Sequence, residues 1–303
     1  MALAGRILIT GGTGLVGAPI TELLLQAGFH LLLLSRSCPL SLRNHPHLTW
    51  QPADLTDNPQ QLLEGLSNVY AVVHAAAAIA DHQNVTSVDQ MLRLNINATQ
   101  KLLEWSVQAK VHRFVLISSL SVLRRPFRQP IQESDPVGPC TVYGVTKWVA
   151  EELVMRFAAQ SDLVPLVLRI TSPIPSSFEL LPRTVVRTWI EAARNRKPLQ
   201  VFGSGQRSQD FVSCSDVAAA VLAALNMPSA RGIYHIGSGQ SLAMLDLAQI
   251  IAEVMQADVV TNGRDPNEFD RCVLSLQRAA SELNYIPQIS GSDAIRRLAV
   301  DLL

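Results

Sequence analysis

Through about residue 170 the chain alternates short, nearly continuous apolar runs with longer stretches in which apolar residues recur at helical spacing. The runs Arg6–Thr10, His30–Leu34, Leu48–Gln51, Ala71–Ala75, His112–Ser118 and Pro165–Ile170 lack the polar/apolar alternation of a half-solvated strand. They read as strands buried on both faces. Between them, Leu15–Ala27, Val88–Ala109 and Thr141–Ala159 predict amphipathic helices, the second opened by a Ser87/Gln90 capping box. Strand and helix in strict alternation predict βαβ units around a parallel sheet. After Ile170 the prolines Pro173, Pro175 and Pro182 break the rhythm, and shorter elements follow at Leu181–Asn195, Ser215–Asn226, Ile233–Ile236 and Met244–Met255. This predicts a smaller, interleaved region capping the carboxyl ends of the strands.

The first turn carries chemistry. Thr10-Gly11-Gly12-Thr13-Gly14-Leu15-Val16-Gly17 follows the first strand directly and runs into a helix. Gly11 permits a tight turn, Gly14 lets the backbone approach a pyrophosphate, and Gly17 lets the helix pack close. The helix N-terminus then offers free N–H groups and partial positive charge. The expected fold is therefore α/β: a Rossmann doubly wound parallel sheet with a smaller, interleaved α/β substrate-capping region. Residues 1–170, with part of 207–237, form the expected NAD(P)-binding domain; 171–206 and 238–303 form the substrate-binding region. A carboxylate at the end of the second strand would accept hydrogen bonds from the ribose of NAD, but Ser35 stands there and Arg36 follows. A guanidinium suits a 2′-phosphate, so NADP is expected over NAD, with NAD still possible.

Composition narrows the partners. The 303 residues carry 25 Lys+Arg against 25 Asp+Glu, which leaves no global field to steer toward nucleic acid or an anionic membrane. Although 48% of residues are hydrophobic, no apolar run approaches a membrane span. The first strand begins almost at the initiator methionine, and Cys38, Cys140, Cys214 and Cys272 lack metal-ligand spacing. A cytoplasmic protein with buried or inert thiols and no metal is expected.

Tyr143 and Lys147 lie four residues apart at the start of a predicted helix and so share a face. A neighbouring ammonium is expected to lower the phenol's pKa and make it an acid/base. Ser118 and Ser119 close a strand at the carboxyl edge of the sheet, where ligands of open α/β folds gather. Glycine turn, strand-end serine and Tyr-x-x-x-Lys together resemble the extended short-chain dehydrogenase/reductase family, in its NAD(P)-dependent epimerase/dehydratase branch.

The resemblance implies hydride transfer at a hydroxyl or carbonyl carbon. In it Ser119, chosen over Ser118, holds the substrate oxygen, Tyr143 is the acid/base, and Lys147 also binds the nicotinamide ribose. It further implies cofactor contacts from Gly11, Thr13, Gly14, Leu15, Val16, Gly17, Ser35, Arg36, Asp54, Leu55, His74, Ala75, Ala76 and Asn97. Segments at Phe202–Gly205, Asp210–Val212, Asp216-Val217 and Tyr234–Gly237 resemble those that shape the substrate side. A homodimer through Val88–Ala109 and Thr141–Ala159 is implied too.

The likeness thins at the substrate. Gln209 stands where nucleotide-sugar enzymes of this branch carry a diphosphate-binding arginine, with Arg207 as a substitute cation two residues earlier. Leu120-Ser121 replace the Asp-Glu pair of sugar dehydratases, which argues against dehydration. Arg124, with Arg125 and Arg128, sits where an anionic substrate would enter. Three functions stay open: a reductase for a free carbonyl compound that exchanges NADPH, favoured by Arg36 and Gln209; an epimerase of a sugar derivative that keeps its cofactor; and a non-catalytic NADP-sensing protein.

Overall fold

The computed structural model describes residues 5–57, 62–79 and 86–302. All six expected strands form within two residues of their predicted ends: β1 (Arg6–Thr10), β2 (Leu31–Ser35), β3 (Leu48–Pro52), β4 (Val69–His74), β5 (Arg113–Ser119) and β6 (Val164–Ile170). The helices among them are α1 (Gly17–Gln26), α2 (Leu40–Arg43), α3 (Thr86–Met91), α4 (Ala98–Gln108) and α5 (Val142–Ala159). The expected single helix over 88–109 is instead α3 and α4 joined by a π-helical stretch, Leu92–Asn97. The Ser87 side chain of the expected capping box lies outside the described residues.

The second region adds β7 (Ser172–Ile174), β8 (Leu199–Phe202), β9 (Ser208–Ser213), β10 (Gly232–Ile236), β11 (Ser241–Ala243) and β12 (Val259–Asn262). Its helices are α6 (Val185–Arg194), α7 (Cys214–Asn226), α8 (Met244–Met255), α9 (Gln277–Leu283) and α10 (Gly291–Val300). Seven strands make the main sheet, in the order β10-β6-β5-β4-β1-β2-β3, and every pair is parallel. β9 pairs with β7 and β11 in a smaller sheet, and β8 pairs with β12.

The apolar strands are explained by two cores. Ile7 and Ile9 of β1 enter one core with α1 and α7, whereas Leu8 enters the opposite one with α4 and α5. Successive side chains of a strand point to opposite faces, so covering both faces demands an apolar residue at nearly every position. Each such side chain, fully buried, contributes roughly 1.5–3 kcal/mol. A third core, with Trp189, Ile190, Leu247, Ile251 and Leu298, holds the smaller region together. The expected boundary at residue 238 needs correction: Ala279, Leu283 and Tyr285 pack into the main-sheet core, not into the smaller region.

Candidate active site

Strand order reverses between β1 and β4, and the glycine turn sits at that switch point. Gly11 has φ +67°, and a Cβ there would lie 2.4 Å from the Ala76 nitrogen, so the loops after β1 and β4 meet with no room for a side chain. A Cβ on Gly17 would fall 2.0 Å from the Gly11 carbonyl oxygen. The helix starts at Gly17, two residues later than predicted, which leaves Leu15 and Val16 in the turn. No side chain caps this helix, and among the described residues the N–H groups of Thr13, Leu15 and Val16 have no acceptor. A glycine-rich turn ending on open N–H donors at a helix start fits a dinucleotide pyrophosphate.

At the ribose end, Ser35 is buried and its hydroxyl donates to the Ser37 carbonyl at 2.7 Å. Arg36 is exposed and close enough to Asp54 to help hold that carboxyl below its usual range, though hydrogen bonds from Thr56 are the larger cause. Asp54 thus forms a turn with Thr56 at 2.8–2.9 Å, while Leu55 packs into the core. His74 is fixed on both sides, its Nδ1 2.6 Å from Thr10 Oγ1 and its Nε2 2.9 Å from Thr99 Oγ1. Burial, with the Lys147 charge second, pushes its pKa down to about 3, so the ring is neutral. Ala75 donates its N–H to the Thr10 carbonyl and so continues the β4 register past the strand.

One helix face carries the reactive groups. Thr141 caps α5 by accepting from the Gly144 N–H at 3.0 Å, which places Tyr143 and Lys147 in its first two turns. Gly144 is required for closeness: a Cβ there would lie 2.4 Å from the Ser121 carbonyl. Tyr143 is half-buried beside Ser119, whose hydroxyl accepts from the Ser121 hydroxyl at 3.0 Å. Ser118 faces the other way and donates to Glu151. Lys147 is buried, and desolvation pulls its ammonium down to about 8 against the opposing pull of Glu151.

Two expectations change here. The phenol of Tyr143 is not lowered by Lys147; burial pushes it up to about 12, and Ser119 is the group that opposes the rise. The ammonium is instead balanced by Glu151, one turn further along α5. Asn97 is exposed, whereas Asn95 is buried in the π-helical stretch. The Asn95 side-chain Oδ1 accepts from the Ala78 N–H at 2.7 Å, and its Nδ2 donates to the Ala78 carbonyl at 2.9 Å and to Thr146 Oγ1 at 3.0 Å. Asn95 therefore ties the loop after β4 to α5. The sequence Asn95-Ile96-Asn97 offers two candidates, and only coil geometry chooses between them.

On the substrate side, Gln209 of β9 donates to Ser172 Oγ of β7. Arg207 forms an ion pair at 2.9 Å with the buried Asp265, so it is already partnered. Arg124 is exposed, and Arg125 pairs with Asp270 at 2.9 Å. Asp210 shapes this wall: its carboxylate accepts from the N–H groups of Ser238, Gly239 and Leu274 and from the Ser238 hydroxyl. Cys38, Cys214 and Cys272 are buried and Cys140 is exposed, all four as free thiols.

A parallel doubly wound sheet with its glycine turn at the switch point, and a serine, tyrosine and lysine gathered at the same edge, define a nucleotide-dependent enzyme of the short-chain dehydrogenase type. Residues 7–237 match the NAD dependent epimerase/dehydratase family. The chain belongs to that family. It is 26% identical over 298 residues, 96% of each chain, to a putative UDP-glucose 4-epimerase of Methanocaldococcus jannaschii. It is 22% identical over 302 residues, again 96% of each, to dTDP-4-dehydro-6-deoxyglucose reductase of Escherichia coli. Among solved structures, MoeE5 in complex with UDP-glucuronic acid and NAD superposes with TM-score 0.83 at 25% identity, over 97% of this chain and 98% of that one. An epimerase of Methanothermobacter thermautotrophicus gives TM-score 0.85 at 25% identity, over 98% and 91%.

Proposed function

We propose that this enzyme interconverts a hydroxyl and a carbonyl group with Tyr143 as acid/base. The observation that carries the reading is the juxtaposition of the Tyr143 phenol and the Ser119 hydroxyl, with Lys147 one turn along the same helix face. The Gly11–Gly17 turn would hold a nicotinamide dinucleotide, which would supply or accept the hydride. With its pKa near 12 the phenol is protonated at neutral pH, ready to give its proton to the oxygen of a carbonyl being reduced. Ser119 would hydrogen-bond the same oxygen, and Lys147 would donate to the ribose hydroxyls of the bound cofactor. Tyr143→Phe keeps the ring but removes the proton, and is expected to cut turnover by roughly 10²- to 10⁴-fold while NADPH affinity stays within about twofold. Undiminished turnover in that variant ends the reading.

NADP is the preferred cofactor of this proposal. Ser35 puts no carboxylate at the end of β2, and exposed Arg36 is available to a 2′-phosphate. Calorimetric titration with NADP and NAD tests it, and equal dissociation constants overturn it. For the substrate, a free carbonyl compound is supported by Gln209 and by the pairing of Arg207 with Asp265, which leave little charge for a diphosphate. The second reading, a nucleotide-sugar epimerase, is favoured by the likeness to MoeE5 bound to UDP-glucuronic acid and NAD. Absorbance at 340 nm separates them: steady NADPH loss with a carbonyl panel marks the reductase, and sugar interconversion without net loss marks the epimerase. The four free thiols accord with a cytoplasmic location.

A further inference from the structure

Behind the reactive face of α5 lies a cluster that the proposed chemistry does not use. Glu151, two turns on from Tyr143 and one from Lys147, is buried, and so is its partner Arg169, next to the carboxyl end of the apolar strand β6. The guanidinium grips both carboxylate oxygens, with Nη2 at 2.7 Å and Nε at 3.0 and 3.1 Å. Ser118 donates to the same carboxylate, and Arg169 Nη1 reaches the Glu133 carbonyl at 3.3 Å. One carboxylate therefore joins the catalytic helix, the strand end that carries Ser119, and the neighbouring strand. A buried ion pair is seldom more stabilising than apolar side chains of the same volume. Stability alone does not account for this one.

We propose that Glu151 is a positioning residue of the active site: clamped by Arg169 and Ser118, and buried one turn beyond Lys147 on the same face of the helix, it holds that lysine as a cation in the correct place. This rests on the catalytic reading of Lys147 given above. The titratable and charged groups around the ammonium are Tyr143 and Glu151 on α5, His74 on β4, and Arg169 on β6 behind Glu151. His74 is neutral and Tyr143 is a protonated phenol, so Glu151 is the anion in this set that opposes desolvation of the lysine.

The test follows the lysine directly. The chain has four lysines, Lys101, Lys110, Lys147 and Lys197, so ¹³C-lysine-labelled full-length protein gives a resolvable spectrum, with Lys147 assigned through Lys147→Arg. In Glu151→Gln the Lys147 titration is expected to move down by about one unit or more, while the other three lysines stay within roughly 0.2 units. Glu151→Asp is expected to recover part of the shift. Arg169 is left as a lone buried cation in Glu151→Gln; if that variant does not fold, Glu151→Gln/Arg169→Gln replaces the ion pair by an amide pair and is read in the same way. A Lys147 titration unchanged in whichever of these folds overturns the proposal. Because the measurement needs neither cofactor nor turnover, a lysine that shifts in a protein whose Tyr143→Phe variant keeps full activity refutes the catalytic reading and leaves the Glu151–Lys147 coupling standing.

Discussion

Ser118 and Ser119 are chemically identical neighbours whose fates differ because successive strand residues face opposite ways. Ser118 is bound to the Glu151–Arg169 pair and Ser119 lies beside Tyr143. Ser118→Ala is expected to lower stability by about 1–3 kcal/mol in urea unfolding and to lower turnover less than Ser119→Ala, which lowers turnover with stability kept. The reverse pattern would reassign the serine. His74 makes a separate prediction. Its folded pKa near 3 lies below the ordinary 6.5, so the unfolded chain binds the proton more readily between these values. Stability falls as pH drops from about 6.5 toward 3, by roughly 4–5 kcal/mol at the limit from this residue. His235, pushed down to about 4 by burial, adds to the same slope. Urea melts across that window should show a shallower decline in His74→Gln, and an unchanged slope would mean His74 does not carry it.

At the scale of elements, the glycine turn is the most constrained feature. Gly17→Ala drives a methyl into the Gly11 carbonyl, and neither backbone can retreat while Gly11 is held against Ala76. NADPH affinity is expected to drop at least about tenfold, measured by fluorescence titration; retained affinity would show that the turn relaxes freely. This turn, the six strands and the Tyr143–Lys147 helix face were legible in the sequence because each rests on local geometry: a period of two or 3.6, or a residue that must lack a side chain. What was not legible depends on contacts across the fold. Short β7, β11 and β12 are defined by their partners instead of by their three or four residues. Asn95 outranks Asn97 only because a π-helical stretch turns it inward. Glu151 had a readable signal, a carboxylate four residues beyond Lys147, and Arg169 another, a lone charge in an apolar strand. Their pairing required β6 and α5 to be seen side by side.

For the whole molecule, α4 and α5 pack together on one side of the sheet. They, α3 and the π-helical stretch leave Val88, Leu92, Val145, Trp148 and Met155 exposed. Residues 145, 148 and 155 share one face of α5, the kind of self-complementary stripe that a two-fold dimer buries. Sedimentation velocity is expected to show a dimer that Trp148→Glu converts to single chains; a wild-type protein sedimenting as a single chain at micromolar concentration would remove this proposal.

The position of β10 has a further consequence. The backbone leaves the main sheet after β6, builds the smaller region, and returns at residue 232 to lie against β6 before leaving again. A fragment ending near residue 170 would keep the Gly11–Gly17 turn and the Tyr143–Lys147 pair, yet leave β6 as a bare edge and uncover Leu166 and Leu168. Expressed alone, such a fragment should aggregate. Supplied with the remaining polypeptide, the two pieces should reassemble, because the second half donates the strand that the first half lacks.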